Sequence, residues 1–173
     1  SDLCGWDPGW FPHPLKGRVM EQIFDSHAHY DDEAFQSDRA ELLQRLPQLG
    51  VCCVINAGAS LESSLASARL AEEYPYFYAA AGVHPECVSG IPEDYLATIR
   101  HLASLPKAVA IGEIGLDYHF PDMAPKEIQR RIFKEQLSLA AELGLPVIVH
   151  DRDAHGDTME ILRRYRPQGV LHC

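Results

Sequence analysis

The 173-residue sequence predicts an α/β fold of the (β/α)8 TIM-barrel type, with about six of the eight β/α units present. Three observations carry this expectation. Six short apolar runs alternate with amphipathic stretches of helical length. The runs are apolar enough for strands buried on both faces, as parallel sheets require. Polar and titratable residues follow the carboxyl ends of the first, third, fourth, fifth and sixth runs, where barrel enzymes keep their chemistry. The rival is an open doubly wound sheet; no Gly-rich phosphate loop follows the first run, which speaks against it.

Residues 1–20 stand apart. Trp6, Trp10, Phe11 and several prolines and glycines show no helix or strand period, so an irregular extension is expected there. Its aromatics are expected to cover one end of the domain, with an active-site lid as the alternative role. The domain itself is placed at residues 21–173. Its runs are Ile23-Phe24 (in a candidate strand from Gln22 to Asp25), Val51 to Ala57, Phe77 to Val83, Ala108 to Ile114, Pro146 to Val149 and Gly169 to Leu171.

Five helices fit between them. Leu42, Leu43, Leu46 and Leu49 share one face that stops at Gly50, the position of a left-handed cap, and Pro47 predicts a distorted last turn. Leu61, Leu65 and Ala68 form a second face, ended by Tyr74-Pro75. Tyr95, Leu96, Ile99 and Leu102 form a third behind Pro92. The longest helix is expected from Pro125 to Leu143, with Ile128, Ile132, Phe133, Leu137 and Ala140 inward and Gly144 at its end. The last is expected to start at Asp157 as N-cap, with Glu160 completing a capping box.

Composition narrows the function. A hydrophobic share of 46% suits one ordinary domain with a real core. The formal net charge of −10 repels nucleic acid and anionic membranes, so a phosphate-polymer substrate requires local cations or bound metal. That counts against a duplex-wrapping protein but not against a metal-dependent phosphodiesterase. Five cysteines (Cys4, Cys52, Cys53, Cys87, Cys173) include no C-x-x-C and read as reduced packing residues. With no apolar run of membrane-span length and no signal-peptide layout, the cytoplasm is the expected compartment and no membrane partner is expected.

Chemistry concentrates at the run ends. His27 and His29 sit two residues apart in an extended segment, facing the same way roughly 6.5–7 Å apart, a pitch that can close on one zinc- or manganese-type ion. Glu113, between Gly112 and Gly115 in the fourth run, is costly to bury without a positive partner. It is either paired with Arg or Lys or, given the His-x-His pair, a carboxylate bridging two metals. His150 and His172 close the fifth and sixth runs; alone, either reads as a satisfied core histidine. Arg152 reads as an ion-pair partner of Asp151 or Asp153. His84, before Pro85, is expected as an exposed imidazole at the mouth that contacts substrate.

Taken together, Asp25-x-His27-x-His29, Gly-x-His84-Pro85, Gly112 to Asp117 and Pro146-x-x-x-His150-x-Arg152-x-Ala154 resemble the TatD family of metal-dependent deoxyribonucleases, over roughly residues 23–173. The resemblance implies a TIM-type barrel with two divalent ions (Zn, Mn, Mg or Ni) and hydrolysis of phosphodiester bonds in single-stranded DNA or an oligonucleotide, typically 3′→5′. It implies that His27 and His29 hold the first metal and His150 and His172 the second, with Glu113 bridging and His84 and Arg152 approaching the phosphate. One departure is large: the family's seventh-strand Asp, near a Ser-Asp-x-Pro segment, does not follow His172 here. Two alternatives remain open: a related amidohydrolase acting on a C–N or ester bond, and a non-catalytic metal-binding or partner-docking barrel fragment.

Overall fold

The computed structural model describes residues 22–172. The extension at 1–20, with Trp6, Trp10 and Phe11, lies outside the described residues, as do Cys4 and Cys173. Six strands form one parallel sheet in strictly sequential order: β1 (Ile23–Ala28), β2 (Val51–Ala57), β3 (Phe77–Ala81), β4 (Ala108–Asp117), β5 (Val147–Arg152) and β6 (Gly169–His172). A doubly wound sheet reverses its order at a switch point; sequential order with right-handed crossovers instead curls the sheet toward a barrel. The curl is visible directly. The rings of His27 and His172, on the two opposite edges of the sheet, lie 4.0 Å apart. The fold is therefore the barrel type, with six of its eight units.

Four strands run past their apolar stretches. β4, β5 and β6 carry Asp117, His150 to Arg152 and His172 while still paired to a neighbour, and β1 carries Ser26-His27 across a break in its register with β2. β3 instead stops at Ala81, two residues short of the expected end.

The crossover helices are α1 (Arg39–Arg45), α2 (Leu61–Glu73), α3 (Tyr95–Ala103), α4 (Lys126–Leu143) and α5 (His155–Tyr165). Pro47 does convert the end of α1 into a 3₁₀ turn over Leu46–Leu49, and Gly50 closes it at φ 96°, a conformation that glycine adopts without Cβ strain. The main core lies between the helices and the outer face of the sheet, where Ile111, Ile114, Val147 and Val149 meet Ile99, Ile132, Phe133, Leu137 and Ile161. Each such side chain contributes roughly 1.5–3 kcal/mol on burial. Alternate strand residues Ala57, Ala80, Ala110 and Ile148 form a separate small cluster on the inner face.

Four helix expectations need correction. Leu49, Leu65 and Ile128 are exposed rather than inward. On α2 the inward positions are Ser64, Ser67, Leu70 and Ala71, because the helix rides close against the sheet. Ser64 Oγ donates to Gly82 O (2.9 Å) and accepts from Gly82 N (3.0 Å). A Cβ on Gly58 would lie 2.2 Å from Ser64 Oγ, so only glycine allows this approach. On α4 two glutamines, Gln129 and Gln136, take inward places that hydropathy assigns to apolar residues. Finally, α5 begins at His155 with Ala154 at the N-cap, so Asp157 is not the cap; it accepts from Tyr118 Oη (2.7 Å) and pairs with Arg130 (2.6 Å).

Candidate metal centre

Glu113 is the focus of the site. It is 3% exposed, in the middle of β4, and its two oxygens face different sets of imidazoles. Oε2 lies 2.9 Å from His27 Nε2 and 3.0 Å from His29 Nε2, and those two nitrogens are 3.1 Å from each other. Oε1 lies 2.8 Å from His172 Nε2, 3.1 Å from His150 Nδ1 and 3.6 Å from His84 Nε2. No Arg or Lys meets Glu113 among the ion pairs of the described residues. The five residues expected to gather from strand ends 1, 4, 5 and 6 do so within one cluster.

Charge follows from this packing. Burial is the largest single influence on Glu113 and opposes its ionisation, but the four imidazoles of His150, His172, His27 and His29 together outweigh it and hold the carboxyl well below the usual range. The hydrogen bond to Glu113 raises His29. At His150 burial works against the charged form, and the carboxylates of Glu113 and Asp117 overcome it and raise the pKa. His84 goes the other way: burial pushes it down to about 4.

The donor chemistry fits divalent ions. Two groups could hold a cation, His27 with His29 and Glu113, and His84 with Glu113 and His150, and both share Glu113. His172 Nε2 is buried without a hydrogen-bond partner despite its 2.8 Å approach to Glu113, which is the condition of a lone pair meant for a ligand. His84 is different. Its Nδ1 accepts from Glu86 N (3.2 Å), so in the neutral ring Nε2 carries the hydrogen and acts as a donor rather than a ligand.

His84 was expected as an exposed imidazole. It is 8% exposed, because residues 82–85 fold inward with His84 N donating to Ala59 O. Its backbone is extended (φ −66°, ψ 148°), as Pro85 requires. Arg152 is exposed and makes no ion pair with Glu113. It makes no ion pair with Asp151 or Asp153 but stacks its guanidinium 5.0 Å over the Phe120 ring. Asp151 is taken by His155 Nδ1 (2.8 Å) and Thr158 Oγ1 (3.1 Å), and Asp153 by His119 (2.7 Å).

Residues that neither motif nor hydropathy singles out fix the turn after His29. Buried Asn56 on β2 accepts from Tyr30 N (2.6 Å) and donates to Asp31 Oδ1 (2.7 Å); Ser63 Oγ donates to Asp31 Oδ2 (2.5 Å). Arg39 caps the same turn through the carbonyls of Tyr30, Asp31 and Asp32. The signal was present, since Asn56 is the one polar residue in the run Val51 to Ala57. A cleft of about 330 Å³ opens onto this corner, lined by His29, Asp31, Asp32, Ser63, His84 and Glu113 among others. A larger hollow, about 600 Å³, lies on the helical side around Lys126, Arg130 and Asp157 and is unconnected with the imidazoles.

A family profile described as "TatD related DNase" matches residues 24–173. The chain belongs to the TatD family. It is 38% identical over 154 residues to "Uncharacterized metal-dependent hydrolase YabD" of Bacillus subtilis, a match covering 87% of this chain and 60% of that protein. It is 39% identical over 155 residues to "3'-5' ssDNA/RNA exonuclease TatD" of Musicola paradisiaca, covering 87% and 58%. Among solved structures, the TatD homolog YJJV from Escherichia coli superposes with a TM-score of 0.80 at 35% identity, over 87% of this chain and 59% of that one. A TatD family hydrolase from Entamoeba histolytica gives 0.80 at 26% identity, over 89% and 59%. The chain thus spans about three fifths of the length of the TatD relatives it matches.

Proposed function

We propose that this TatD chain carries the metal centre of a phosphodiesterase that removes nucleotides from single-stranded DNA in the 3′→5′ direction. The observation that carries this reading is the division of Glu113, one oxygen toward His27 and His29 and the other toward His150 and His172. In this reading His27 and His29, and His150 and His172, would each hold a divalent ion together with Glu113. Divalent ions there supply Lewis acidity toward a phosphate oxygen and lower the pKa of water.

The chain's own groups do the rest. The four imidazoles present lone pairs from fixed strand ends, so the centre is preorganised. Neutral His84, with its hydrogen on Nε2, donates to a phosphate oxygen entering from the cleft. Arg152, braced on Phe120, would meet a phosphate of the single-stranded substrate next to the one at the centre. Asp31, Asp32 and Glu86 line the cleft with negative charge, so bound cations are needed before a phosphate can enter. The three described cysteines, Cys52, Cys53 and Cys87, are free, which supports a reducing, cytoplasmic setting. No helix among the described residues is long and apolar enough to cross a membrane.

Incubating the chain with manganese or zinc and a 5′-labelled single-stranded DNA, beside amide and lactone substrates, tests the proposal. A 3′→5′ ladder that disappears with chelator supports it. Turnover of the amide or lactone alone transfers the centre to the amidohydrolase reading.

A further inference from the structure

Asp117, four residues beyond Glu113 on the same face of β4, faces His150 from the side opposite Glu113. His150 Nε2 lies 3.0 Å from Asp117 Oδ2, while its Nδ1 faces Glu113. Asp117 is 1% exposed, and among the described residues His150 is its only ion-pair partner. A carboxylate that deep in the protein needs a hydrogen on the nitrogen it meets.

The carboxylate is itself held. Asp117 Oδ1 accepts from His119 N (2.9 Å). The backbone of Asp117 is gripped at both polar groups by one side chain: Gln129 Oε1 accepts from Asp117 N and Gln129 Nε2 donates to Asp117 O, both at 2.9 Å, and Nε2 also donates to Ala124 O. This accounts for a fully buried glutamine on the inward face of α4. Glu113 has four other imidazoles around it, whereas Asp117 Oδ2 has only His150, so a single ring hydrogen is held by Asp117.

We propose that Asp117, clamped by Gln129, is a positioning residue that keeps the hydrogen of His150 on Nε2 and turns its Nδ1 lone pair into the metal centre. The inference rests on the proposed centre for its consequence but not for its geometry. Carboxylate partners of ligating histidines typically contribute 10–100-fold in metal affinity.

Two measurements on the 173-residue chain test it. A long-range ¹H–¹⁵N spectrum of the metal-free chain, at a pH above the raised range of His150, is expected to show the Nε2–H form at that residue. Zinc affinity by chelator competition is expected to fall 10–100-fold in Asp117→Asn. Leu137→Ala, a core change remote from the imidazoles, is expected to lower the melting temperature and leave zinc affinity unchanged. An Nδ1–H form at His150 in the wild type, or zinc affinity within twofold of wild type in Asp117→Asn, overturns the proposal. Should Asp117→Asn fail to fold, the wild-type spectrum decides alone. A wild-type chain that takes up no zinc would count against the proposed centre, while the metal-free spectrum would still judge Asp117.

Discussion

Glu113→Ala is the most discriminating single change because both candidate cation groups pass through this one carboxylate. In the proposed centre its removal would deprive the His27–His29 pair and the His150–His172 pair of their shared oxygen ligand at once. His27→Ala, by contrast, breaks only the first set, and His150→Ala only the second. The expected metal content is therefore two per chain in the wild type, one in either histidine variant and none in Glu113→Ala. The stability readout follows by mass action. Free metal at about 100 times its Kd adds about 2.7 kcal/mol per site. At roughly 2–4 °C per kcal/mol for a chain of this size, each site raises the melting temperature by roughly 5–11 °C. Elemental analysis after gel filtration, with calorimetry at fixed free metal, measures both quantities. Glu113→Ala retaining wild-type metal content, or showing the wild-type thermal shift, would refute the bridging role.

Three further outcomes are expected. His84→Ala should keep metal content, since its Nε2 is a donor, and lower kcat/KM on single-stranded DNA by about 10²-fold or more; loss of metal in elemental analysis would make His84 a ligand instead. In the metal-free chain, His29 and His150 have folded pKa values above 6.5, so their contribution to stability is complete below 6.5 and is lost as pH rises through the raised values. Metal must displace the same protons, so zinc affinity should rise across that window, which titrations at a series of pH values would show. Gly58→Ala should destabilise by about 1–3 kcal/mol, because its Cβ would meet Ser64 Oγ at 2.2 Å and push α2 off the sheet; an unchanged denaturation midpoint would contradict this packing.

The strand order and the gathering of His27, His29, Glu113, His150 and His172 were legible because each sits at or near the end of an apolar run, and parallel strands bring such ends to one rim. What hydropathy missed follows a single pattern. Apolarity marks where a strand is buried, so strands whose ends carry the site continue unseen, as β4 does to Asp117 and β5 to Arg152. Ser64, Gln129 and Gln136 look like solvent-facing residues, yet they sit inward to satisfy backbone groups near the site. The burial of His84 depends on loop geometry that local sequence does not encode. The pairing of Asp117 with His150 depends on the register of β4 against β5, and no spacing along the chain expresses that.

The approach of His27 to His172 has a mechanical side. These rings belong to β1 and β6, so in the proposed centre ions on opposite oxygens of Glu113 would clasp both strands to β4. Backbone pairing ties β1 to β2 and β6 to β5; coordinate bonds through Glu113 would add a second tie to each. Occupancy of a small polar centre would thereby lengthen the time the curved wall keeps its shape.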